Sequence, residues 1–78
     1  MSNQNNKKKI VLTFGTFDRL HPGHEHYLRE AKKYGDHLVT IVARDSTVFR
    51  VKGKNPIHDE QIRLANLQLT GWSDEVVL

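Results

Sequence analysis

The 78-residue chain contains no cysteine. Disulfide staples and thiolate metal centres are therefore excluded, and the fold must rest on packing and hydrogen bonding. Long apolar runs are missing as well. The longest covers residues 38–43 and is broken by Thr40, far short of the ~20 residues that cross a bilayer. The run at residues 10–14, behind the N-terminal lysines, is too brief for a secretion signal. A cytoplasmic protein is the expectation. Apolar residues still make up 37% of the chain, too many for a disordered polymer and suited to one small domain, so a multidomain reading falls away.

The charge is also less one-sided than its net +3 suggests. Lys7, Lys8 and Lys9 account for the excess of the 12 basic over the 9 acidic residues, and the body is neutral. Residues 1–9 read as a flexible basic tail and residues 10–78 as the domain. Three tail lysines without interleaved aromatics give weak, salt-sensitive attraction at most, so no specific nucleic-acid partner and no membrane partner is expected. Within the body one stretch is lopsided: Arg44, Arg50, Lys52 and Lys54 face only Asp45.

Residues 10–14, Ile-Val-Leu-Thr-Phe, form a β-branched run that reads as a parallel strand covered on both faces and closed by Gly15. Pro22 suits the first position of a helix. Tyr27, Leu28, Ala31 and Tyr34 then recur at helical spacing as its core face, with Gly35 as a left-handed stop. Residues 38–43 are a second buried strand, which completes a βαβ unit. Residues 44–56 read as a long functional connection rather than an element. Asp59 and Glu60 open a second helix with Ile62, Ala65 and Leu69 on one face, broadened by Leu64 and Leu67 and stopped by Gly71. Trp72 is expected to pack at the turn into a third strand, residues 76–78. The fold class is α/β, a three-layer Rossmann-like β-α-β-α-β unit.

In such sheets ligands bind outside the carboxyl ends of the strands, where helix N-termini attract anions. The first strand supplies Gly15-Thr16-Phe17-Asp18 and then His21-Pro22-Gly23-His24 there; the second supplies Arg44, Asp45 and the basic stretch. Gly15 and Gly23 would let a phosphate approach backbone. His21 and His24, three apart at a helix entry, would donate hydrogen bonds to phosphate oxygens. Alternatively they merely cap the helix, or join His26 in an N/O zinc site, although His24 and His26 point to different sides and no fourth ligand is evident. Lys52 and Lys54 would neutralise phosphates or simply solvate a loop. Asp45 reads equally as an Asx-turn residue, and Arg63 as a surface residue.

The pairing of Gly15-Thr16-Phe17-Asp18 with His21-Pro22-Gly23-His24 resembles the signature of the cytidylyltransferase-like nucleotidyltransferases, members of the HUP-type group that also includes class I aminoacyl-tRNA synthetases. The resemblance runs from residue 10 to residue 78. It implies that Gly15, Thr16, Phe17, Asp18, Gly23, Lys54 and Arg63 bind nucleotide, that His21, His24 and Lys52 are catalytic, and that Arg44 and Asp45 face the acceptor. It implies transfer of AMP or CMP from ATP or CTP to a phosphorylated small molecule, with Mg2+ carried on the nucleotide and no metal ligands from the protein. The later block, with Lys52-Gly53-Lys54-Asn55-Pro56-Ile57 and Glu60-Gln61-x-Arg63, looks more like archaeal-type FAD synthases than glycerol-3-phosphate cytidylyltransferases. Domains of the family continue past the third strand to a segment rich in Ser and Thr that closes over the nucleotide. The resemblance therefore implies the N-terminal half of the domain, apparently truncated, with its first strand left as an apolar edge. A homo-oligomer or a complementing chain is the corresponding expectation, and a non-catalytic binding module is the alternative to an enzyme.

Overall fold

The computed structural model describes residues 8–78. Three parallel strands, β1 (Ile10–Gly15), β2 (His37–Val42) and β3 (Glu75–Val77), lie in the order β1-β2-β3. The helices are α1 (Pro22–Lys32), α2 (Asp45–Lys52) and α3 (Glu60–Thr70). Register aligns Val11 with Leu38, Thr13 with Thr40, and Thr40 with Val76, so these side chains share one face. That face is the core: Leu38, Val42 and Val76 pack with Leu28 of α1, Leu67 of α3 and Phe17. Two crossovers of the same hand, stepping in the same direction, place α1 and α3 on the same side of the sheet.

The other face is bare. Ile10, Leu12 and Phe14 are 61%, 56% and 64% exposed, and Val77 is exposed too. Of the three expected layers, the described residues build two. The expectation that β1 is covered on both faces is thereby corrected: it is an edge strand with its apolar outer face open.

A narrow sheet also narrows the helix faces it can cover. Leu28 and Leu67 are fully buried and Ala31, Leu64 and Trp72 pack beside them, Trp72 at the turn where it was expected. Tyr27, Tyr34, Ile62, Ala65 and Leu69 overhang the sheet and are exposed, against the sequence expectation. The stretch 44–56 is not a plain connection, because α2 occupies eight of its residues and closes on Gly53 at φ 77°. Gly35 does not provide a left-handed stop, since α1 ends on Lys33 in the right-handed region. Gly35 is needed for space instead: a Cβ there would sit 2.7 Å from the Lys9 carbonyl oxygen.

Lys9, assigned to the tail, is anchored. Its N–H donates to Asp36 Oδ2 (2.8 Å) and its carbonyl accepts from the Asp36 and His37 amides. The rest of the expected tail, residues 1–7, lies outside the described residues. β3 is short but pinned: Asp74 accepts from the Leu38 amide (2.7 Å) and from Lys32 Nζ (2.8 Å). Buried hydroxyls of Thr13 and Thr40 meet at 2.8 Å, and Thr40 reaches Ser73 at 2.6 Å, so polar groups inside the sheet are satisfied. Among the described residues no helix is long and apolar enough to cross a membrane.

Candidate active site

The carboxyl ends of β1 and β2 bring together three loops: residues 16–21 before α1, residues 43–44 before α2, and residues 53–59 between α2 and α3. A crevice of about 440 Å³ opens between the strand ends, lined by Phe14, Gly15, Thr16, Ala43, Arg44 and Thr47 among others. A second, of about 210 Å³, is lined by Thr16, Asp18, Lys52, Lys54, Asn55 and Ile57. Thr16, Asp18, Lys52 and Lys54 thus border one hollow. A groove of about 580 Å³ lies at the opposite end, between α1 and the end of α3. Its cations are already paired, Arg29 with Glu25, Lys33 with Glu30 and Lys32 with Asp74, so the strand-end crevices are the better ligand sites.

α1 starts with a capping box made of imidazoles. His21 is the N-cap, and its Nδ1 accepts the Gly23 amide (3.0 Å); His24 Nδ1 accepts the His21 amide (3.3 Å). The two rings stack with centroids 4.0 Å apart at 28°. Acceptance at both Nδ1 atoms leaves each proton on Nε2 and fixes both rings as outward Nε2–H donors. Partial burial, aided by the neighbouring His21, pushes the His24 imidazole below its ordinary value, which keeps it neutral near pH 7. Capping and ligand donation are therefore compatible readings of the pair, since they use opposite nitrogens. Among the described residues no three His, Cys, Asp or Glu side chains gather as a metal site, and His26 does not join the other two.

The glycines at these positions also make room for the protein's own rings. A Cβ on Gly15 would lie 2.6 Å from Phe17 Cε2, and one on Gly23 would lie 2.8 Å from His21 Cε1. The Phe17 ring is buried against the core, with its centroid 5.2 Å from that of His24, so only its backbone can meet a ligand. That backbone is strained: Phe17 sits at φ 52°, a region a bulky residue seldom enters.

Asp18 accepts the Ile57 amide on Oδ2 (2.7 Å) and the His58 amide on Oδ1 (2.9 Å). Desolvation pushes its carboxyl up, but the His58 and Ile57 amides, with the charges of His58 and Arg63, outweigh it and hold the group below its ordinary value. It fastens the basic loop to the first loop. Arg63, expected beside phosphates, is 0% exposed. Its Nε donates to the His58 carbonyl (2.9 Å), Nη1 to the Thr16 carbonyl (2.7 Å) and Nη2 to Asp45 Oδ1 (2.7 Å). The guanidinium is turned inward, and Asp45, expected to meet substrate, is its partner. Arg44 is exposed, with Nη1 3.9 Å from Glu60 Oε2, while Glu60 Oε1 accepts the Asp45 amide at 2.7 Å. His58 and Glu60 were not singled out as site residues. Glu60 offered its place in the Glu60-Gln61-x-Arg63 block and as an acid opening the helix, neither of which points to the Asp45 amide, and His58 acts through its backbone, which leaves no trace in residue type.

Comparison with known proteins identifies the family and the fold. Residues 12–78 match the family described as cytidylyltransferase-like. The FAD synthase of Thermococcus sibiricus is 51% identical over 73 residues, which are 92% of this chain and 49% of that protein. The crystal structure of the lipopolysaccharide core biosynthesis protein from Thermoplasma volcanium superposes with a TM-score of 0.85 at 50% identity, over 92% of this chain and 58% of the other. The chain therefore spans about half the length of these relatives. It belongs to the cytidylyltransferase-like family, and its fold is the Rossmann-like α/β fold expected from the sequence.

Proposed function

From that membership we propose that the chain carries the nucleotide-binding half of a nucleotidyltransferase, which moves AMP or CMP from its triphosphate to a phosphorylated acceptor. The observation that carries this reading is the stacked His21–His24 pair, whose two Nε2–H donors stand beside the Thr16–Asp18 loop at the carboxyl end of β1. A phosphate oxygen of the acceptor attacks the α-phosphorus, the bond to the bridging oxygen of the β-phosphate breaks, and pyrophosphate leaves with the electron pair. No covalent protein intermediate is required.

His21 and His24 donate to phosphate oxygens as charge builds in the transition state. The Thr16 and Phe17 amides hold the nucleotide. Lys52 and Lys54, exposed on the rim of the smaller hollow, offset the charge of the remaining phosphates. Magnesium enters with the triphosphate as part of the substrate; Asp18, with both oxygens on loop amides, shapes the site instead of supplying a dedicated cage. FAD is FMN joined to AMP, so likeness to an FAD synthase supports ATP and FMN as the first pair to test.

A second reading is a binding module that holds nucleotide without turnover, favoured by the open outer face of the sheet. Incubation with magnesium, ATP or CTP, and FMN, glycerol phosphate or phosphocholine separates the two. Pyrophosphate release with any pair supports transfer, whereas nucleotide binding without release from any pair leaves the module.

A further inference from the structure

We infer that Arg63 is a positioning residue that sets the direction of the Thr16–Phe17 peptide and thereby aims the Phe17 amide at the nucleotide phosphates; the inference rests on the nucleotide-binding reading above. Four observations converge. Arg63 is an arginine with no exposed surface in a chain whose other arginines are exposed, and burial of a guanidinium is tolerated only with good partners. Its three partners come from three separate segments: the Thr16 carbonyl of the first loop, the His58 carbonyl of the loop before α3, and Asp45 Oδ1 at the start of α2. All peptide bonds described are trans, so drawing the Thr16 carbonyl toward the guanidinium turns the Phe17 N–H the opposite way. Among the described residues that N–H has no hydrogen-bond partner, and Phe17 is held at φ 52°.

The strain and the free donor have one cause. Without the Arg63 Nη1 bond nothing polar would hold the Thr16 carbonyl inward, and the peptide would relax by rotating its N–H out of the site. Asp45 fixes the guanidinium from the other side, and its own amide is held by Glu60, so the α2 entry and the first loop are set by one side chain. Arg63 touches no ligand in this scheme.

The test follows the amide directly. The ¹⁵N-labelled chain is titrated with magnesium-ATP, magnesium-CTP and inorganic pyrophosphate, and the Phe17 resonance is followed against those of Leu38 and Val39 in β2. In the unaltered chain Phe17 should move saturably with at least one of the three. Arg63→Met should weaken binding by about tenfold or more, as expected for loss of a charge-assisted contact, and should abolish the Phe17 response while Leu38 and Val39 stay in place. Should Arg63→Met fail to fold, Asp45→Asn serves, with binding weakened several-fold and a smaller Phe17 displacement at saturation. Unchanged affinity and Phe17 displacement in the variant that folds would overturn the inference. So would a Phe17 amide in the unaltered chain that responds to none of the probes. Pyrophosphate release with an unmoved Phe17 amide would defeat this inference alone; a moved amide without release would defeat nucleotidyl transfer alone.

Discussion

His21 and His24 are stacked 4.0 Å apart, and each gives its Nδ1 to a backbone amide of the same helix entry. Protonation of either ring at Nδ1 removes a cap acceptor and sets a cation against its neighbour. The cap is therefore intact only while both Nδ1 atoms are unprotonated, which leaves the Nε2 side of each ring free to donate.

A definite acid sensitivity results. The folded-state imidazole of His24 lies below 6.5 and the Asp18 carboxyl below 3.8. Each group binds more protons unfolded than folded between its two values, so stability rises with pH there. The His24 contribution should be complete above pH ~6.5 and lost as pH falls through its folded value; that of Asp18 should go at still lower pH. Urea unfolding between pH 7 and pH 3 should show both losses, and His24→Ala should remove the earlier one.

His24→Ala should cost about 1 kcal/mol of stability, the usual worth of a helix-cap partner. If its Nε2–H acts mainly in the transition state, turnover should fall far more than nucleotide affinity. Equal losses in kcat/KM and affinity, in steady-state kinetics with parallel titration, would mark His24 as a ground-state ligand.

Gly15→Ala would place a methyl group 2.6 Å from a Phe17 ring that is itself buried. Overpacking of this kind costs about 1–3 kcal/mol. Because the ring and the Phe17 backbone move together, nucleotide binding should weaken more than thermal stability falls. Calorimetry of both processes on the same variant compares the two.

Leu12→Lys and Phe14→Lys put charge on the bare face of the sheet. Neither side chain is in the core, so stability should change by no more than about 0.5 kcal/mol. Any self-association through this face should fall, and light scattering with hydrophobic-dye binding reads that directly.

Lys52→Ala and Lys54→Ala should leave the melting temperature nearly unchanged, since both side chains are exposed. Triphosphate affinity should drop, and its dependence on salt should become shallower with each lysine removed.

The three strands, the helices α1 and α3 and the paired motif at the end of β1 were legible because each is written in local pattern. Gly71 does stop α3, at φ 70°. What pattern could not reveal was the neighbourhood. The run Ile-Val-Leu-Thr-Phe reads the same whether its outer face is covered or bare, and here Thr13 is buried while Leu12 and Phe14 are open. The helix α2 is short and buries only Val48, while its other large apolar residues, Phe49 and Val51, are exposed. Arg63 is the sharpest case. Nothing in an exposed-looking Gln-Ile-Arg sequence signals a fully buried guanidinium, because its acceptors are two backbone carbonyls and one acid 18 residues away.

The imidazole capping box separates what the motif does for the scaffold from what it offers a ligand. His21 and His24 hold the first turn of α1 whether or not any nucleotide is present, and Gly23 is there to admit the His21 ring. The cap alone thus accounts for this His-x-Gly-His as a helix start, apart from any turnover, and the Nε2 side of the rings is the part left over for a ligand.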